Sequence, residues 1–498
     1  MTVRAKDDSH TRDDASNASK GHYFQNWMKT TTTSPSQLLE VSTIEEIQSI
    51  VINEESYPSP VRPTGSILSH TDIHANDGGT TLLMNRLNKI HGIDTYTYKK
   101  KTDSGVIRTE QVTCIKVDPC VTLREVQLYA QKHGFELPYS AEIGHATVGG
   151  TMFVTSKDSS IGKPPIEGSG LGDVCSCVFQ FTVVDETGAL VRYDMFDKNG
   201  DFDIGFQSLL DSHGTRGIAV EILLAIRKKT PVTINTHIVH RKKDDSSCIA
   251  RRIYETWNSA KSKEGNVFAS IGCRPGFWWM EERIPSVHTD ELAPFSGMLL
   301  QAILRMKKYS IERCHMLSPL KWLSCFSGSA LLRVKMDSRP AGFHYTPDIP
   351  DCERKLSYSY CAFPATSFCE VVTEGLDFVQ SYKLKHGFEP FALAVYFVEQ
   401  SGKRLAGGYH RKEIVKEDTH TFAFDPVHSH PKDPQWHEFL DAFHQWQRSK
   451  GGIPSITQSF RIEHQDLTWG SNAVCGEPLP RFTNKYIQQF FDAKMDIT

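Results

Sequence analysis

Two short glycine-containing segments constrain the fold of this chain more than any other feature. The first is RPTGSILS, residues 62–69, and the second is ATVGG, residues 146–150. Each adjoins apolar sequence. Glycine in such a loop can adopt positive φ and lets a ligand approach the backbone closely. Consecutive backbone N–H groups in a turn of this kind form a concave anion-binding nest. The pair therefore predicts two loops that hold one large anionic cofactor.

Composition limits the classes of protein to which the chain can belong. Its 498 residues exceed what one ordinary hydrophobic core contains, so at least two domains are expected. Lys and Arg number 56 and Asp and Glu number 59, which gives a net charge of −3. This balance gives no reason to expect nucleic acid or a membrane surface as a partner, because both favour concentrated basic charge.

The sequence also predicts the compartment. No stretch approaches the ~18 consecutive apolar residues of a membrane span, and the polar N-terminus lacks the apolar core of a secretory signal. The twelve cysteines are dispersed and contain no C-x-x-C pair, which indicates reduced thiols and argues against zinc. The pair His428 and His430 lacks a third metal ligand at convincing spacing. We therefore expect a cytoplasmic protein without a bound metal.

Local patterns predict alternating helices and strands in the first half of the chain. Thr43 with Glu46, and Thr122 with Glu125, form capping boxes that predict helices starting at those threonines. Gly134 predicts the end of the second helix. The predicted apolar face of that helix consists of Leu123, Val126, Leu128 and Ala130. Apolar or alternating runs predict strands at residues 36–41, 61–63, 81–85, 112–117, 178–184, 189–193 and 218–226.

The second half carries the same kinds of pattern and predicts another α+β unit. Its strands are predicted at residues 233–238, 331–335, 392–398 and 421–424. Its helices are predicted at residues 247–260, 289–305, 368–384 and 436–447.

Six ordered landmarks give the chain a resemblance to a known family. They are R-P-x-G-x-x-x-S, then LNKI at residues 87–90, the capped helix with HGFELP, TVGG, V-V-x-x-x-G at residues 183–188, and HGTRGIAVEILLAI. Together they resemble the vanillyl-alcohol oxidase or PCMH-type FAD-linked oxidases. The second half resembles the aldonolactone oxidase branch in layout, through Gly451-Gly452 and a terminal aromatic segment.

The resemblance implies an α+β fold, with a PCMH-type FAD-binding domain of two α+β subdomains and an α+β cap domain that receives substrate. The polar, mixed-charge N-terminus predicts a disordered lead at residues 1–24. The resemblance divides the rest into the FAD-binding domain at 25–231, the cap domain at 232–450, and a C-terminal segment at 451–498 that returns to the FAD domain.

The resemblance also implies how FAD is held. The first loop surrounds the pyrophosphate, the second approaches the ribityl chain or the flavin ring, and a strand flanks the cofactor with its backbone. The residues around the pyrophosphate are Arg62, Gly65, Ser66, Ile67, Leu68 and Ser69, with His70 as a neighbour of the flavin. The second loop contributes Thr147, Val148, Gly149 and Gly150, and the strand contributes Ile218 and Val220.

Departures from the family pattern change the expected chemistry. Many members attach FAD through a loop histidine, where this chain has Leu68, and the berberine-bridge branch uses a cysteine where this chain has His145. We therefore expect noncovalent FAD unless His70 substitutes. The glutamate and arginine of the aldonolactone branch are replaced by Ala394 and Tyr396. Ser455 and Gln458 replace its histidine and lysine, which disfavours sugar-lactone oxidation.

Three residues are the predicted catalytic candidates. His145 directly precedes the loop expected to face the flavin ring, while Tyr396 and Tyr409 lie on or beside the presumed cap strand. A phenol or an imidazole can hydrogen-bond a substrate oxygen or accept its proton. For both tyrosines, half-buried packing remains the alternative.

These expectations together predict an FAD-dependent oxidoreductase, an oxidase or dehydrogenase. It would take a hydride from a C–H next to oxygen in a small, secondary-metabolic molecule to flavin N5, with molecular oxygen as the simplest acceptor. One alternative is an FAD-containing cyclase, lyase or transferase with no net redox turnover. Another is a binding protein without a dinucleotide. The sequence leaves open the substrate, the acceptor and whether the chain forms a homodimer.

Overall fold

The computed structural model describes most of the chain outside its N-terminus and parts of its second half. The described residues are 23–102, 104–138, 144–154, 156, 161–167, 174–210, 212–240, 245–273, 277–285, 336–340, 357–399, 420–428, 430–455, 457–459 and 478–489. The predicted helix at residues 289–305 and the predicted strand at 331–335 lie outside them.

A small parallel sheet opens the described chain. Strands β3 (Gln37–Glu40), β5 (Thr80–Leu83) and β4 (Val61–Thr64) pair in parallel in that order. Helix α1 (Ile44–Ile52) packs beside them and begins at Thr43, whose predicted capping box with Glu46 is present. A two-stranded ribbon, β1 (Phe24–Gln25) with β2 (Thr32–Thr33), precedes this sheet. Because β4 ends at Thr64, the glycine of the first loop, Gly65, directly follows this strand.

A five-stranded antiparallel sheet forms the second layer, in the order β10, β9, β11, β7, β6. These strands are β6 (Ile90–Lys101), β7 (Ile107–Val117), β9 (Val178–Val184), β10 (Leu190–Asp194) and β11 (Ile218–Ala225). The helices against or between them are α2 (Leu123–Lys132), α3 (Val148–Met152) and α4 (Ile204–Leu209), and a short ribbon joins β8 (Phe135–Glu136) to β12 (Arg227–Lys228). One apolar core lies beneath the sheet, with Phe181, Phe206 and Ile222 fully buried.

The cap domain is an antiparallel sheet covered on one face by helices. The strand order is β16, β13, β15, β14, β19, β20, β18, β21, with β17 also paired to β20. The strands are β13 (Pro231–His240), β14 (Asn266–Gly272), β15 (Phe277–Pro285), β16 (Met336–Pro340), β17 (Ser357–Tyr358), β18 (Cys361–Pro364), β19 (Ala392–Glu399), β20 (His420–His428) and β21 (Ile453–Pro454). The helices are α5 (Ser246–Lys261), α6 (Phe368–His386) and α7 (Pro434–Ser449).

Alternation along β19 defines the two faces of the cap sheet. Leu393, Val395 and Phe397 belong to the buried core shared with the helices. Tyr396 therefore points to the opposite face, because successive side chains of a strand alternate. There it packs with a small separate cluster that includes Tyr360 and Ala423. We call this surface the open face of the cap sheet.

Residues 478–489 run back along the first half of the chain. Phe482 is buried in the core of the parallel sheet. The Arg481 guanidinium donates to the carbonyls of Ile50, Val51 and Tyr57. The side-chain amide of Asn484 donates to three carbonyls between Asp72 and Ala75. These contacts tie the end of the chain to the segment that carries the first loop.

The structure confirms the predicted α+β fold class and corrects one detail of helix α2. Its capping box at Thr122 is present, and Gly134 follows its last turn with φ of 79°. Leu128 was predicted to belong to the buried face, but its side chain is 47% exposed. The predicted apolar face is therefore wrong at Leu128. The polar side chain of Gln127 is buried instead, because it satisfies the buried amide of Leu137.

Candidate functional site

The two glycine loops touch each other. A Cβ built on Gly65 would overlap the Thr147 hydroxyl, so no other residue fits there without displacing the second loop. The Ser66 hydroxyl donates to the His145 carbonyl. Loops that are about eighty residues apart in sequence therefore form one continuous wall.

The first loop presents a row of open backbone amides. Among the described residues, no acceptor is bonded to the N–H groups of residues 65–69. Ile67 has φ of 50°, a left-handed conformation that breaks the extended path of the loop. Its carbonyl is held by the Trp27 amide at 2.8 Å. Residues 66–69 are half-buried. Consecutive free amides around such a turn make an anion cradle.

The second loop differs, and the expectation that its amides are also free is wrong. Helix α3 begins here, and the Val148 and Gly149 amides donate to the carbonyls of Val121 and Pro119, each at 2.8 Å. The Gly150 amide donates to the Thr147 hydroxyl at 3.3 Å. Gly149 is required because a Cβ there would lie 2.9 Å from the Pro119 Cβ. This loop supplies a close-packed wall, with Gly150 exposed at its edge.

Arg62 lies beneath the first loop, and both of its terminal nitrogens bond carbonyls of the protein. Its Nη1 donates to the carbonyls of Gly214 and Phe482, and its Nη2 donates to those of His213 and Ile73. The side chain is buried, and burial lowers the pKa of its guanidinium to about 10. Only Nε has no acceptor among the described residues. Arg62 therefore joins three chain segments around the cradle, whereas the sequence suggested a contact with pyrophosphate.

Ile218 and Val220 lie at a local irregularity of β11. Both side chains are buried in the core, so only their backbone can reach a ligand. The register with β9 shifts between Ala219 and Glu221, which places a bulge at Val220. Strand β7 pairs with β11 only from Ile222 onward. The backbone at the start of β11 thus lacks a partner from β7, as the prediction of a strand flanking the cofactor requires.

His70 ends the first loop at the junction with the cap domain. Its amide donates to the Thr457 carbonyl and its Nδ1 bonds the Tyr358 carbonyl, both at 2.9 Å. The ring lies 4.2 Å from that of Tyr358, centroid to centroid. Burial lowers the pKa of His70 to about 4, so the imidazole is neutral at physiological pH.

On the open face of the cap sheet, Tyr396 is paired with a buried carboxylate. Its hydroxyl donates to Asp425 Oδ2 at 3.3 Å. Asp425 is only 4% exposed, and its Oδ1 accepts the Cys361 amide at 3.1 Å. The phenol ring is half-buried and stacks with Phe268 at 6.1 Å. Tyr396 is therefore oriented by two neighbouring strands, and a hydroxyl next to a carboxylate can pass a proton to it.

Sequence reasoning missed a charged pair on the same face. Phe268 is the register partner of both Tyr396 and Glu281, so these residues form one row across three strands. Arg283, two residues beyond Glu281, bonds its carboxylate at 3.2 Å and lies over the Phe268 ring at 5.5 Å. The E-x-R spacing within β15 was visible in the sequence. Its place beside Tyr396 depends on strand pairing, which the sequence did not reveal.

The remaining predicted residues fall in different places. Tyr409 lies outside the described residues. His145 is half-buried next to the first loop. Ser455, expected in the position of a catalytic histidine, is buried and bonds the Thr457 hydroxyl and the Ser459 side chain. This segment is therefore a structural turn between the cap domain and His70.

The arrangement fits a dinucleotide. The first loop offers open amides that an anion can accept from, and the start of β11 has an edge that β7 does not pair. The Ala394 methyl and the Tyr396 ring on the cap sheet leave the open face largely uncharged near Asp425. In the part of the chain that is described, no group of three His, Cys, Asp or Glu side chains is arranged to hold a metal ion. No described helix combines the length and apolarity needed to cross a membrane.

Comparison with known proteins agrees with the geometry. Residues 35–194 match the family described as FAD binding domain. This range contains both glycine loops, and it identifies FAD as the cofactor of the chain. Comparison with curated proteins finds no match.

Solved structures with this fold are similar over nearly the whole chain. The cholesterol oxidase from B. sterolicum is 14% identical, with a TM-score of 0.67, over 94% of this chain and 96% of that one. A solvent-stable cholesterol oxidase gives the same identity and TM-score over 94% and 97%. A variant of the Brevibacterium sterolicum enzyme is 13% identical, with a TM-score of 0.59, over 86% and 83%. The family match thus supplies the FAD-binding domain, and the solved structures show the fold of the chain.

Proposed function

We propose that this protein oxidises a small organic molecule at a C–H next to oxygen, with noncovalent FAD as the hydride acceptor at its N5 atom. The observation that carries the proposal is the pairing of an open amide cradle at residues 65–69 with Tyr396 and Asp425 on the open face of the cap sheet. One part holds an anionic cofactor, and the other handles the proton that such an oxidation releases.

The first loop binds through its backbone. The N–H groups of residues 65–69 would hold the pyrophosphate of FAD, and Gly65 lets the loop lie against Thr147. Arg62 holds the loop from below by its four carbonyl contacts. Leu68 cannot form a covalent bond to the flavin, and the Nδ1 of His70 is already bonded to Tyr358. These features support a cofactor that is held without a covalent link.

Tyr396 is the proposed proton acceptor for the substrate hydroxyl. As the C–H leaves as hydride, the hydroxyl proton passes to the Tyr396 oxygen, and the phenol proton passes to Asp425 Oδ2. The carbon becomes a carbonyl, and the proton remains on a buried carboxylate. His145, beside the loops, is the alternative acceptor. Tyr409 remains a further candidate from the sequence.

The open face also supports a substrate class. Phe268 stacks beside Tyr396, and the small residues Ala394 and Ala423 flank Tyr396 on the same surface. This combination suits an apolar, ring-containing alcohol whose oxygen meets the Tyr396 hydroxyl. The solved proteins with this fold are cholesterol oxidases by name, which supports an alcohol as the reacting group and molecular oxygen as the acceptor.

The rival function is a flavin-containing cyclase, lyase or transferase with no net redox change. Its support was the loss of the cationic arginine and lysine of the aldonolactone branch, where this chain has Tyr396 and Gln458. Arg283, paired with Glu281, places a guanidinium on the same face of the cap sheet, two strands away from Tyr396. The oxidoreductase is therefore the better supported function. The dispersed cysteines support a reducing compartment, and we propose the cytoplasm as the location.

Two spectra test the proposal. The purified protein should show flavin absorbance in the visible range, and acid precipitation should leave the flavin in the supernatant. Anaerobic mixing with a panel of ring-containing alcohols should bleach the flavin with at least one of them, and air should restore the colour. A purified protein that is colourless and does not bind added FAD contradicts the FAD site. A flavin that stays oxidised while substrate is converted supports the rival.

A further inference from the structure

His70 connects the cofactor loop to the cap domain in a way that the proposed function does not use. It is the residue immediately after the amide cradle, and both of its hydrogen bonds cross to other segments. Its amide reaches the Thr457 carbonyl and its Nδ1 reaches the Tyr358 carbonyl. The side chain is 3% exposed. A buried residue whose backbone and side chain both hydrogen-bond another part of the chain stabilises only the geometry in which both bonds are made.

The partner segments lead directly to the proposed catalytic pair. Tyr358 lies in β17 and is the register partner of Val427 in β20. Asp425, which accepts the Tyr396 hydroxyl, lies two residues away in the same strand. On the other side, the Ser459 hydroxyl donates to the Tyr360 carbonyl, and Tyr360 packs against Tyr396. Each of the two hydrogen bonds of His70 is therefore connected, through one strand or one turn, to a residue on the open face of the cap sheet.

We propose that His70 is a positioning residue that couples FAD binding at the first glycine loop to the seating of the cap sheet, through its hydrogen bonds to Tyr358 and Thr457. When FAD fixes residues 65–69, His70 is fixed with them, and β17 and the turn at residues 457–459 are held against the loop. The inference rests on the proposed function only for the FAD site itself. Linkage requires the reverse effect as well, so a seated cap must tighten FAD binding by the same factor.

The hydrogen bond from His70 to the Tyr358 carbonyl indicates which substitutions distinguish a positioning role of His70 from simple packing. The neutral imidazole donates its Nδ1–H to the Tyr358 carbonyl, since a carbonyl can only accept. In His70→Asn, the side-chain amide nitrogen occupies nearly the position of Nδ1 and can donate the same bond. In His70→Gln, the nitrogen lies one methylene further out, near the position of Nε2, and cannot reach Tyr358 without moving the loop. The two variants are alike in charge and polarity.

The experiment measures FAD affinity and hydrogen exchange on the full chain. Apoprotein is titrated with FAD and the quenching of flavin fluorescence is followed. Exchange is compared with and without FAD in the peptide that covers residues 357–361. The Ser359 and Tyr360 amides of this peptide bond the carbonyls of Pro426 and Gln458. His444→Gln serves as the matched control, because it removes another buried neutral histidine whose ring bonds Ser359 within the cap.

In the wild-type protein, FAD should slow exchange in residues 357–361 as well as in the first loop. His70→Gln should weaken FAD binding by about tenfold, as expected for a broken buried hydrogen bond, and should abolish the protection of residues 357–361. His70→Asn should restore both, and His444→Gln should retain the FAD-induced protection.

Three results would overturn the coupling. They are wild-type protein that binds FAD without protection of residues 357–361, His70→Gln that keeps this protection, or His70→Asn that is as weak as His70→Gln. The wild-type comparison decides the matter even if His70→Gln does not fold. Wild-type protein that binds no FAD would instead contradict the cofactor site, and the coupling with it, so the two failures are distinguishable.

Discussion

Tyr396 acquires its proposed chemistry from a residue 29 positions away in the sequence. Asp425 is nearly inaccessible, and its two oxygens receive the Tyr396 hydroxyl and the Cys361 amide. A buried carboxylate gains strongly from each hydrogen bond that it accepts. The phenol is therefore held in one direction, on the face of the sheet away from the helices.

Replacing Tyr396 by Phe tests whether this phenol handles the substrate proton. The ring and its stacking with Phe268 are kept, while the hydroxyl is lost. We expect the rate of anaerobic flavin reduction to fall by about a hundredfold, the usual scale for removal of a general acid or base, with FAD affinity unchanged. Stopped-flow absorbance measures this rate. Tyr382→Phe, a half-buried tyrosine in α6 on the helical side of the cap, should reduce flavin at the wild-type rate. Equal rates in both variants would point to His145 instead.

At the residue scale, the sequence revealed identities but not partners. Tyr396 was a candidate because it stands on a strand-like run, and the structure adds Asp425 because β19 and β20 pair in register. Glu281 and Arg283 stayed unnoticed for the same reason, since their proximity to Tyr396 arises from the order of strands β15, β14 and β19. Arg62 was assigned to the cofactor, yet its donors face carbonyls contributed from residues 73, 213, 214 and 482.

At the level of elements, local sequence signals predicted the helix starts correctly, whereas features that depend on nonlocal contacts were not predicted. Helices α1 and α2 begin at their predicted capping boxes, because a capping box involves only four consecutive residues. The amides of the second glycine loop could not be assigned in this way. Their acceptors are the carbonyls of Pro119 and Val121, nearly thirty residues upstream. Two segments with similar composition thus have opposite roles, one an open cradle and the other a wall.

Gly65→Ala tests the contact between these two elements. The new methyl group would overlap the Thr147 hydroxyl, which cannot rotate away without releasing the Gly150 amide at the start of α3. Overpacking of this kind costs about 1–3 kcal/mol, so we expect FAD affinity to fall about tenfold or more. Fluorescence titration with FAD measures it. Gly134→Ala, at a site with positive φ and open space around the added methyl, controls for backbone strain far from the loops.

A double-mutant cycle with Thr147→Ala sharpens this result. Removing the hydroxyl relieves the overlap, so the two substitutions together should weaken FAD binding less than the sum of their separate effects. If the effects of the two substitutions on the free energy of FAD binding add exactly, the two loops are not energetically coupled.

For the whole molecule, the α+β class followed from the sequence, whereas the contacts between the two halves of the chain did not. The predicted return of the C-terminal segment rested on resemblance alone. The structure shows Arg481 and Asn484 bonded to carbonyls of the FAD-binding half. The cap meets the same half through His70, Tyr358 and Thr457. None of these contacts follows a periodic pattern, so no amount of strand or helix prediction would have located them.

Three buried histidines make the stability of the whole molecule depend on pH. Burial lowers the pKa of His70, His74 and His444 to about 4, below the unfolded value of 6.5. The unfolded chain therefore binds more protons than the folded one between pH 6.5 and 4. Stability is fully present above pH 6.5 and falls as the pH drops through this window, by up to about 1.4 kcal/mol per pH unit for each histidine.

Urea unfolding followed by tryptophan fluorescence at pH 7.0, 6.0 and 5.0 measures this dependence. The free energy of unfolding should decrease at each step, and the decrease should be smaller in His444→Phe, which cannot be protonated. The junction should respond first, because protonation places an uncompensated charge on the buried His70 imidazole, and this cost of desolvation disfavours the closed junction although Nδ1–H still donates to Tyr358. FAD release should therefore begin at a pH where the cap core, centred on Phe397 and Phe422, is still folded. A protein equally stable at pH 7.0 and 5.0 would show that these imidazoles reach water in the folded state.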